Sequence, residues 1–132
     1  MTIGIDMMGG DYAPLEAVRG IRMYQLSGGT EVKLMLFGDE AQINPLLDQE
    51  NIPATHVQIV HTSQVIGMHE HPTKALKEKQ DSSIAVGFGA LAKHKIDAFI
   101  SAGNTGAMLV GAMFSIKVIE GVLRPTISTV IP

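Results

Sequence analysis

The chain has 132 residues, of which 45% are hydrophobic and 17% are charged, and its formal net charge at pH 7 is −3. This length and composition predict a single globular α/β domain over residues 1–132, and the acidic balance argues against a protein that binds nucleic acid. Because the sequence contains no cysteine, a disulfide framework, a cysteine-ligated zinc site and a thiol nucleophile are excluded.

Short apolar strands alternate with helical patterns along the chain. The first strand is predicted at Thr2–Asp6, Pro14 opens the first helix, and Gly28-Gly29 ends it. Pro45 is expected in the first turns of the second helix or shortens it. Further strands are predicted at residues 31–37, 57–60, 98–100 and 126–131, a loop at 62–72, a short basic helix at 73–79, and apolar helices after residues 82 and 106.

This order of elements predicts a fold. Repeated βα units with near-continuous apolar strands favour a mostly parallel sheet with helices on both faces, a three-layer αβα architecture. Ligands of such sheets bind beyond the carboxyl ends of the strands. Two glycine-rich turns follow predicted strands, at residues 7–11 and 101–106, so both are expected at that edge.

The second turn carries the main candidate site. Ser101, Gly103, Asn104, Thr105 and Gly106 stand between a buried strand and an apolar helix. Glycines permit a tight turn, the polar side chains offer hydrogen bonds, and the helix start presents free N–H groups, which together suit a phosphate. The alternative is an ordinary strand-to-helix connection in which Asn104 or Thr105 caps the helix.

The first turn places two carboxylates around a glycine pair, with Asp6 before Gly9 and Gly10 and with Asp11 after them. Both aspartates are interpreted as shaping this turn, Asp11 as a helix cap and Asp6 as an acceptor within it. Orientation of a ligand is the competing interpretation.

A third segment combines Lys79 with Asp81, Ser82 and Ser83. A cation and two hydroxyls before a helix suit a second contact with phosphate, whereas a solvated lysine beside an ordinary cap is equally compatible with the pattern. His69-Glu70-His71 suggests a metal site, but without cysteine or a firm third histidine a solvated loop is favoured, and we predict no metal and no cofactor.

These three segments together resemble one family. Met8-Gly9-Gly10-Asp11, Lys79-x-Asp81-Ser82-Ser83 and the run Ser101-Ala102-Gly103-Asn104-Thr105-Gly106-Ala107 are similar, in order and spacing, to the amino-terminal part of bacterial phosphate acyltransferases. One departure is Gln80, where the family pattern would have a second lysine. Family members are longer, so the resemblance predicts the amino-terminal portion of a longer protein with an isocitrate/isopropylmalate dehydrogenase-like fold.

The resemblance implies a reaction and its partners. Long-chain acyl-acyl-carrier protein and inorganic phosphate would give acyl phosphate, which feeds a glycerol-3-phosphate acyltransferase on the route to phosphatidic acid. It also implies a cytoplasmic homodimer with peripheral membrane attachment. Lys79 and Asn104 would act in catalysis, and phosphate would contact Ser82, Ser83, Ser101, Gly103, Asn104, Thr105 and Gly106. The alternatives are a short-chain phosphate acetyl- or butyryltransferase that uses acyl-coenzyme A, and a non-catalytic anion-binding domain.

Overall fold

The computed structural model describes residues 1–29 and 31–128. Four parallel strands form one sheet in the order β3-β2-β1-β4. They are β1 (Thr2–Asp6), β2 (Lys33–Gly38), β3 (Val57–His61) and β4 (Ala98–Ile100). The α-helices are α1 (Leu15–Leu26), α2 (Glu40–Gln49), α3 (Pro72–Glu78), α4 (Ser83–Ala92) and α5 (Thr105–Ser115), and one turn of 3₁₀ helix spans Ala54–His56.

Helices cover both faces of the sheet at its central strands, whereas the edge strand β4 is partly open, with Ile100 54% exposed. Alternate residues of β2 point to opposite sides, as the pleat requires. Leu34 and Leu36 pack with α1 and α2, while Phe37 packs with α4. The predicted α/β class, with a parallel sheet between helices, is therefore confirmed.

Three aromatic rings connect the sheet to the outer helices. Phe99 of β4 lies edge-on to Phe37 of β2 and to Phe88 of α4, with ring centroids 5.8 and 5.3 Å apart. The rings fit because Gly87 and Gly111 have no side chain there; a Cβ at Gly87 would collide with Phe99, and one at Gly111 with Phe88. The helix α5, which begins at the candidate loop, is thereby packed onto α4 and through it onto the sheet.

Two predicted features differ from the structure. Residues 126–128 are exposed to solvent and belong to no strand, so that part of the predicted last strand is wrong. Residues 129–131 of the same prediction lie outside the described residues. A strand needs a neighbour to satisfy its backbone hydrogen bonds, and these residues have no ladder partner among the residues described. Asp11 does not cap α1, because the helix begins at Leu15, its N-cap is Pro14 and no side chain bonds to its first amides. Pro45 lies within the first two turns of α2, as expected, and the helix continues to Gln49.

Candidate functional site at the carboxyl edge of the sheet

The two glycine-rich turns meet because their strands are neighbours. β1 pairs directly with β4 in parallel, so the residues that follow Asp6 and Ile100 emerge side by side. The Ser101 hydroxyl donates to Asp6 Oδ2 at 2.6 Å, and Asp6 Oδ1 accepts from the Met8 amide at 3.0 Å. Asp6 is only 3% exposed, and this buried carboxylate joins the two turns.

The backbones of the turns also touch. A Cβ built on Gly9 would lie 2.6 Å from both the Gly103 nitrogen and Asp6 Oδ2, so only glycine fits at that position without displacement. The Gly103 amide donates to Ser101 Oγ at 2.9 Å. Gly10 has a φ of +96°, a conformation that glycine adopts readily. The glycines of both turns therefore serve a close backbone contact.

Asn104 is the N-cap of α5 and has a second set of contacts. Its Oδ1 accepts from the Ala107 amide at 2.9 Å, which is the capping bond that the sequence offered as the alternative to phosphate contact. Its Nδ2 donates to the carbonyls of Gly67, Met68 and Glu70 at 3.0, 3.3 and 3.1 Å. Asn104 is 5% exposed, so its side chain is occupied by protein partners on both sides.

The start of α5 keeps free donors beside this cap. Among the described residues, no hydrogen bond from the amides of Thr105 or Gly106 is present. Thr105 is exposed and Gly106 is partly exposed. Helix amides without partners, together with the positive end of the helix dipole, favour an anion at such a position.

Lys79 is bound to the segment that precedes α3. Its Nζ donates to the Val65 carbonyl at 2.7 Å and to Glu70 Oε1 at 2.5 Å. Glu70 Oε1 also accepts from the Gly67 amide at 2.6 Å. The hydrogen bond from Lys79, followed by that from Gly67, lowers the pKa of the Glu70 carboxyl below its ordinary value. Glu70 was considered in the sequence only as a metal ligand, and its bond to Lys79 was not predicted.

Ser82 and Ser83 lie at the start of α4 and are buried, with 0% and 2% of their surface exposed. Ser82 is the N-cap, and its Oγ accepts from the Ala85 amide at 3.3 Å. Ser82 also forms an isolated parallel bridge with Gln64. None of the described pockets is lined by either serine or by Asn104. The segment from Gln64 to Glu70 connects the two positions, because it contacts Ser82 at its start and Asn104 at its end.

Asp81 fastens the start of the same segment. Its Oδ2 accepts from the Ser63 amide at 2.8 Å and from the Ser63 hydroxyl at 2.5 Å. The bond from the Ser63 hydroxyl, followed by that from the Ser63 amide, lowers the pKa of the Asp81 carboxyl below its ordinary value. The sequence predicted Asp81 or Ser82 as a cap, and in the structure Ser82 takes that position while Asp81 faces Ser63.

A pocket of about 380 Å³ opens beside the first turn. It is lined by Asp6, Gly9, Gly10, Asp11, Tyr12, Glu16, Ser101 and Ala102, together with apolar residues of β1, β4 and α1. Three carboxylates border this pocket and would repel a second anion. The carboxylates therefore make this pocket unfavourable for an anion.

The remaining sequence-based candidates concern metals and membranes. His69 and His71 are exposed, and within residues 1–29 and 31–128 no three histidine or carboxylate side chains converge in a way that would hold a metal ion. Across the same residues, none of the helices has both the length and the apolar character to cross a bilayer.

The fold and these contacts define a parallel α/β protein with paired glycine-rich turns and an open helix start at one sheet edge. Residues 1–132 match the model of the fatty acid synthesis protein family, and the chain belongs to that family. It is 42% identical to the phosphate acyltransferase of Dictyoglomus turgidum over 132 residues, which cover 100% of this chain and 39% of the relative.

Two further relatives carry the same name. The phosphate acyltransferases of Thermoanaerobacterium thermosaccharolyticum and of Neisseria meningitidis serogroup C are each 39% identical over the whole chain, which covers 38% and 37% of their lengths. The chain therefore spans less than half the length of the curated relatives that it matches.

Proposed function

We propose that this chain forms the phosphate-binding part of an enzyme that transfers a long-chain acyl group from acyl-carrier protein to inorganic phosphate. Membership of the fatty acid synthesis protein family and relatives named phosphate acyltransferase support an acyl transfer to phosphate. The products are an acyl phosphate and free carrier protein. That the acyl chain is long and that its donor is acyl-carrier protein are further elements of our proposal.

The open start of α5 is the observation that carries the proposal. Thr105 and Gly106 present amides without protein acceptors in the described part of the chain, at the positive end of an 11-residue helix. Asn104, Ser101 and Gly103 are already engaged with protein atoms, so we assign them the shaping of the loop and assign direct phosphate contact to Thr105 and Gly106. We assign Lys79 to offset part of the negative charge of the phosphate.

Direct attack fits a chain without cysteine. A phosphate oxygen adds to the thioester carbonyl, the tetrahedral intermediate collapses, and the carbon–sulfur bond breaks. The carrier protein leaves as a thiolate that takes a proton from solvent. Phosphate is already ionised at neutral pH, so the mechanism requires no general base, and catalysis consists of holding two reactants together and stabilising the oxyanion.

The partners follow from the same proposal. A glycerol-3-phosphate acyltransferase consumes the acyl phosphate, and the enzyme works as a cytoplasmic homodimer attached peripherally to the membrane. An acidic carrier protein needs a local basic surface on a chain whose net charge is −3. Lys74 and Lys77 are exposed on α3 and are available for this contact, whereas Lys79 is engaged with Glu70.

The test is a thiol-release assay with the full-length protein and palmitoyl-acyl-carrier protein. We expect free carrier-protein thiol to appear only when inorganic phosphate is present, with one acyl phosphate trapped by hydroxylamine for each thiol. Turnover of acetyl- or butyryl-coenzyme A instead would replace the long-chain assignment with the short-chain one. Calorimetric phosphate binding without turnover of any thioester would leave an anion-binding domain and overturn the enzymatic proposal.

A further inference from the structure

The segment between β3 and α3, residues 62–71, is fastened at several points along its length. At its start, Ser63 bonds to Asp81, and Gln64 pairs with Ser82. Further along, Lys79 donates to the Val65 carbonyl, and Asn104 Nδ2 lies within hydrogen-bond distance of the carbonyls of Gly67, Met68 and Glu70. We call residues 64–71 the strap.

Glu70 is the one strap residue that contacts both residues assigned to catalysis from the sequence. Its side-chain Oε1 accepts from Lys79 Nζ at 2.5 Å, and its backbone carbonyl accepts from Asn104 Nδ2 at 3.1 Å. The same Oε1 also accepts from the Gly67 amide at 2.6 Å, a hydrogen bond within the strap. Lys79 has three N–H donors, and its bonds to Glu70 and to Val65 fix the direction of the third.

The strap also borders the open start of α5. Asn104, which bonds to the strap, immediately precedes the free amides of Thr105 and Gly106, and a Cβ on Gly106 would lie 2.5 Å from Cγ of Pro72, the first residue of α3 after the strap. The position of the strap therefore sets the shape of the space beside those amides.

We infer that Glu70 is a positioning residue of the phosphate site, which holds the strap in place and sets the orientation of Lys79. This inference rests on the proposed function. Glu70 touches neither reactant and acts through Lys79 and the strap. A carboxylate placed near a phosphate site would by itself weaken anion binding, so its presence there is explained by the contacts it makes.

The direction in which the KM for phosphate changes in a Glu70 variant shows whether Glu70 positions Lys79 or acts only through its negative charge. In Glu70→Gln the negative charge is gone while the size is kept. If charge alone matters, phosphate binds more tightly and its KM falls. If Glu70 positions Lys79 and the strap, the KM for phosphate rises at least tenfold and kcat falls, while the KM for the acyl-carrier thioester changes less than twofold. Glu70→Asp, which keeps the charge on a shorter chain, is expected to retain part of the activity.

Two controls make the test specific. Glu78→Gln removes a carboxylate from α3 that lies 4.0 Å from Lys74 at an exposed position, and we expect the KM for phosphate to stay at the wild-type value. In a Lys79→Met background, Glu70→Gln should cause little further loss, because Glu70 acts through Lys79. Fully additive losses in the double variant would contradict the inference.

Hydrogen exchange gives a readout that does not depend on turnover. Glu70→Gln should speed amide exchange within residues 64–71, most of all at Gly67, and leave exchange in β1 and β2 unchanged. Unchanged exchange in the strap, or a lowered KM for phosphate, would overturn the inference while the proposed function stands. Absence of phosphate-dependent turnover in the wild type would overturn the proposed function, and the assignment of Glu70 to a phosphate site with it.

Discussion

Gly9 is the residue at which the two turns of the candidate site come closest. Its Cα faces the Gly103 backbone and the Asp6 carboxylate, with no room for a methyl group. Gly20, by contrast, is an exposed residue of α1 where a Cβ would meet nothing within 4 Å. The same substitution at these two glycines therefore tests the contact between the turns.

We expect Gly9→Ala to destabilise the fold by about 1–3 kcal/mol, because the new methyl group forces backbone atoms apart. Gly20→Ala should stabilise it by about 0.5–1 kcal/mol, since alanine loses less conformational entropy in a helix. Urea unfolding of both variants measures the difference. Equal effects at the two positions would show that the turns are not in contact.

Single residues differ in how far the sequence determines their role. For Asn104 the sequence predicted phosphate contact, with a helix cap as the alternative, and the cap could be foreseen because it depends on residues only three positions apart. The bond of Asp6 to Ser101 spans 95 residues, and that of Lys79 to Glu70 depends on how the chain turns before α3. Such contacts are set by tertiary packing, so sequence patterns named the residues but not their partners.

Among the elements, α4 has the most closely packed start. Ser82 and Ser83 are both buried there, yet only Ser82 caps the helix, through Ala85. The sequence assigned phosphate contact to both hydroxyls. Their burial supports a structural role, and adjacent substitutions can separate the two interpretations.

Ser82→Ala should cost about 0.5–2 kcal/mol of stability through the lost cap, and Ser83→Ala should cost less. Neither substitution should change the KM for phosphate more than twofold. Thermal unfolding and phosphate-dependent thiol release measure the two quantities. A tenfold rise in that KM with unchanged stability would return the serines to direct phosphate binding.

Elements were predicted well where their own residues determine them. β1 and β4 have the predicted limits, because each is a short apolar run that a polar turn ends. β2 begins at Lys33 rather than at residue 31, since the ladder with β1 starts at Thr2 and Lys33. The strand predicted at 126–131 fails at 126–128 because β-propensity alone supplies no pairing partner.

At the scale of the whole molecule, three carboxylates link loops to helices in their charged form. The pKa of Asp39 is lowered by Gln42 and the Ala41 amide, that of Glu70 by Lys79 and Gly67, and that of Asp81 by the hydroxyl and amide of Ser63. In each case the folded state binds a proton less readily than the unfolded chain. Their contribution to stability is therefore present above the ordinary carboxyl pKa values of 3.8 and 4.5 and is lost as the pH falls through the lowered values.

We accordingly expect the melting temperature to fall as the pH is lowered from about 5 towards 3, with these carboxylates contributing to the loss. Asp81→Asn should make the dependence shallower, because one of the three groups no longer takes up a proton on unfolding. Scanning calorimetry at several pH values measures this slope. A slope equal to that of the wild type would show that Asp81 does not contribute.

The bond between Asp6 and Ser101 has a consequence for how the molecule is made. Closing a loop of this length costs entropy that only neighbouring strand pairs can offset, so the two turns cannot assemble locally in a nascent chain. During translation the first turn has no partner until all of β4 and the loop after it have left the ribosome. Ribosome-stalled chains ending before Ser101 would contain β1, β2 and β3 but not the contact between the two turns.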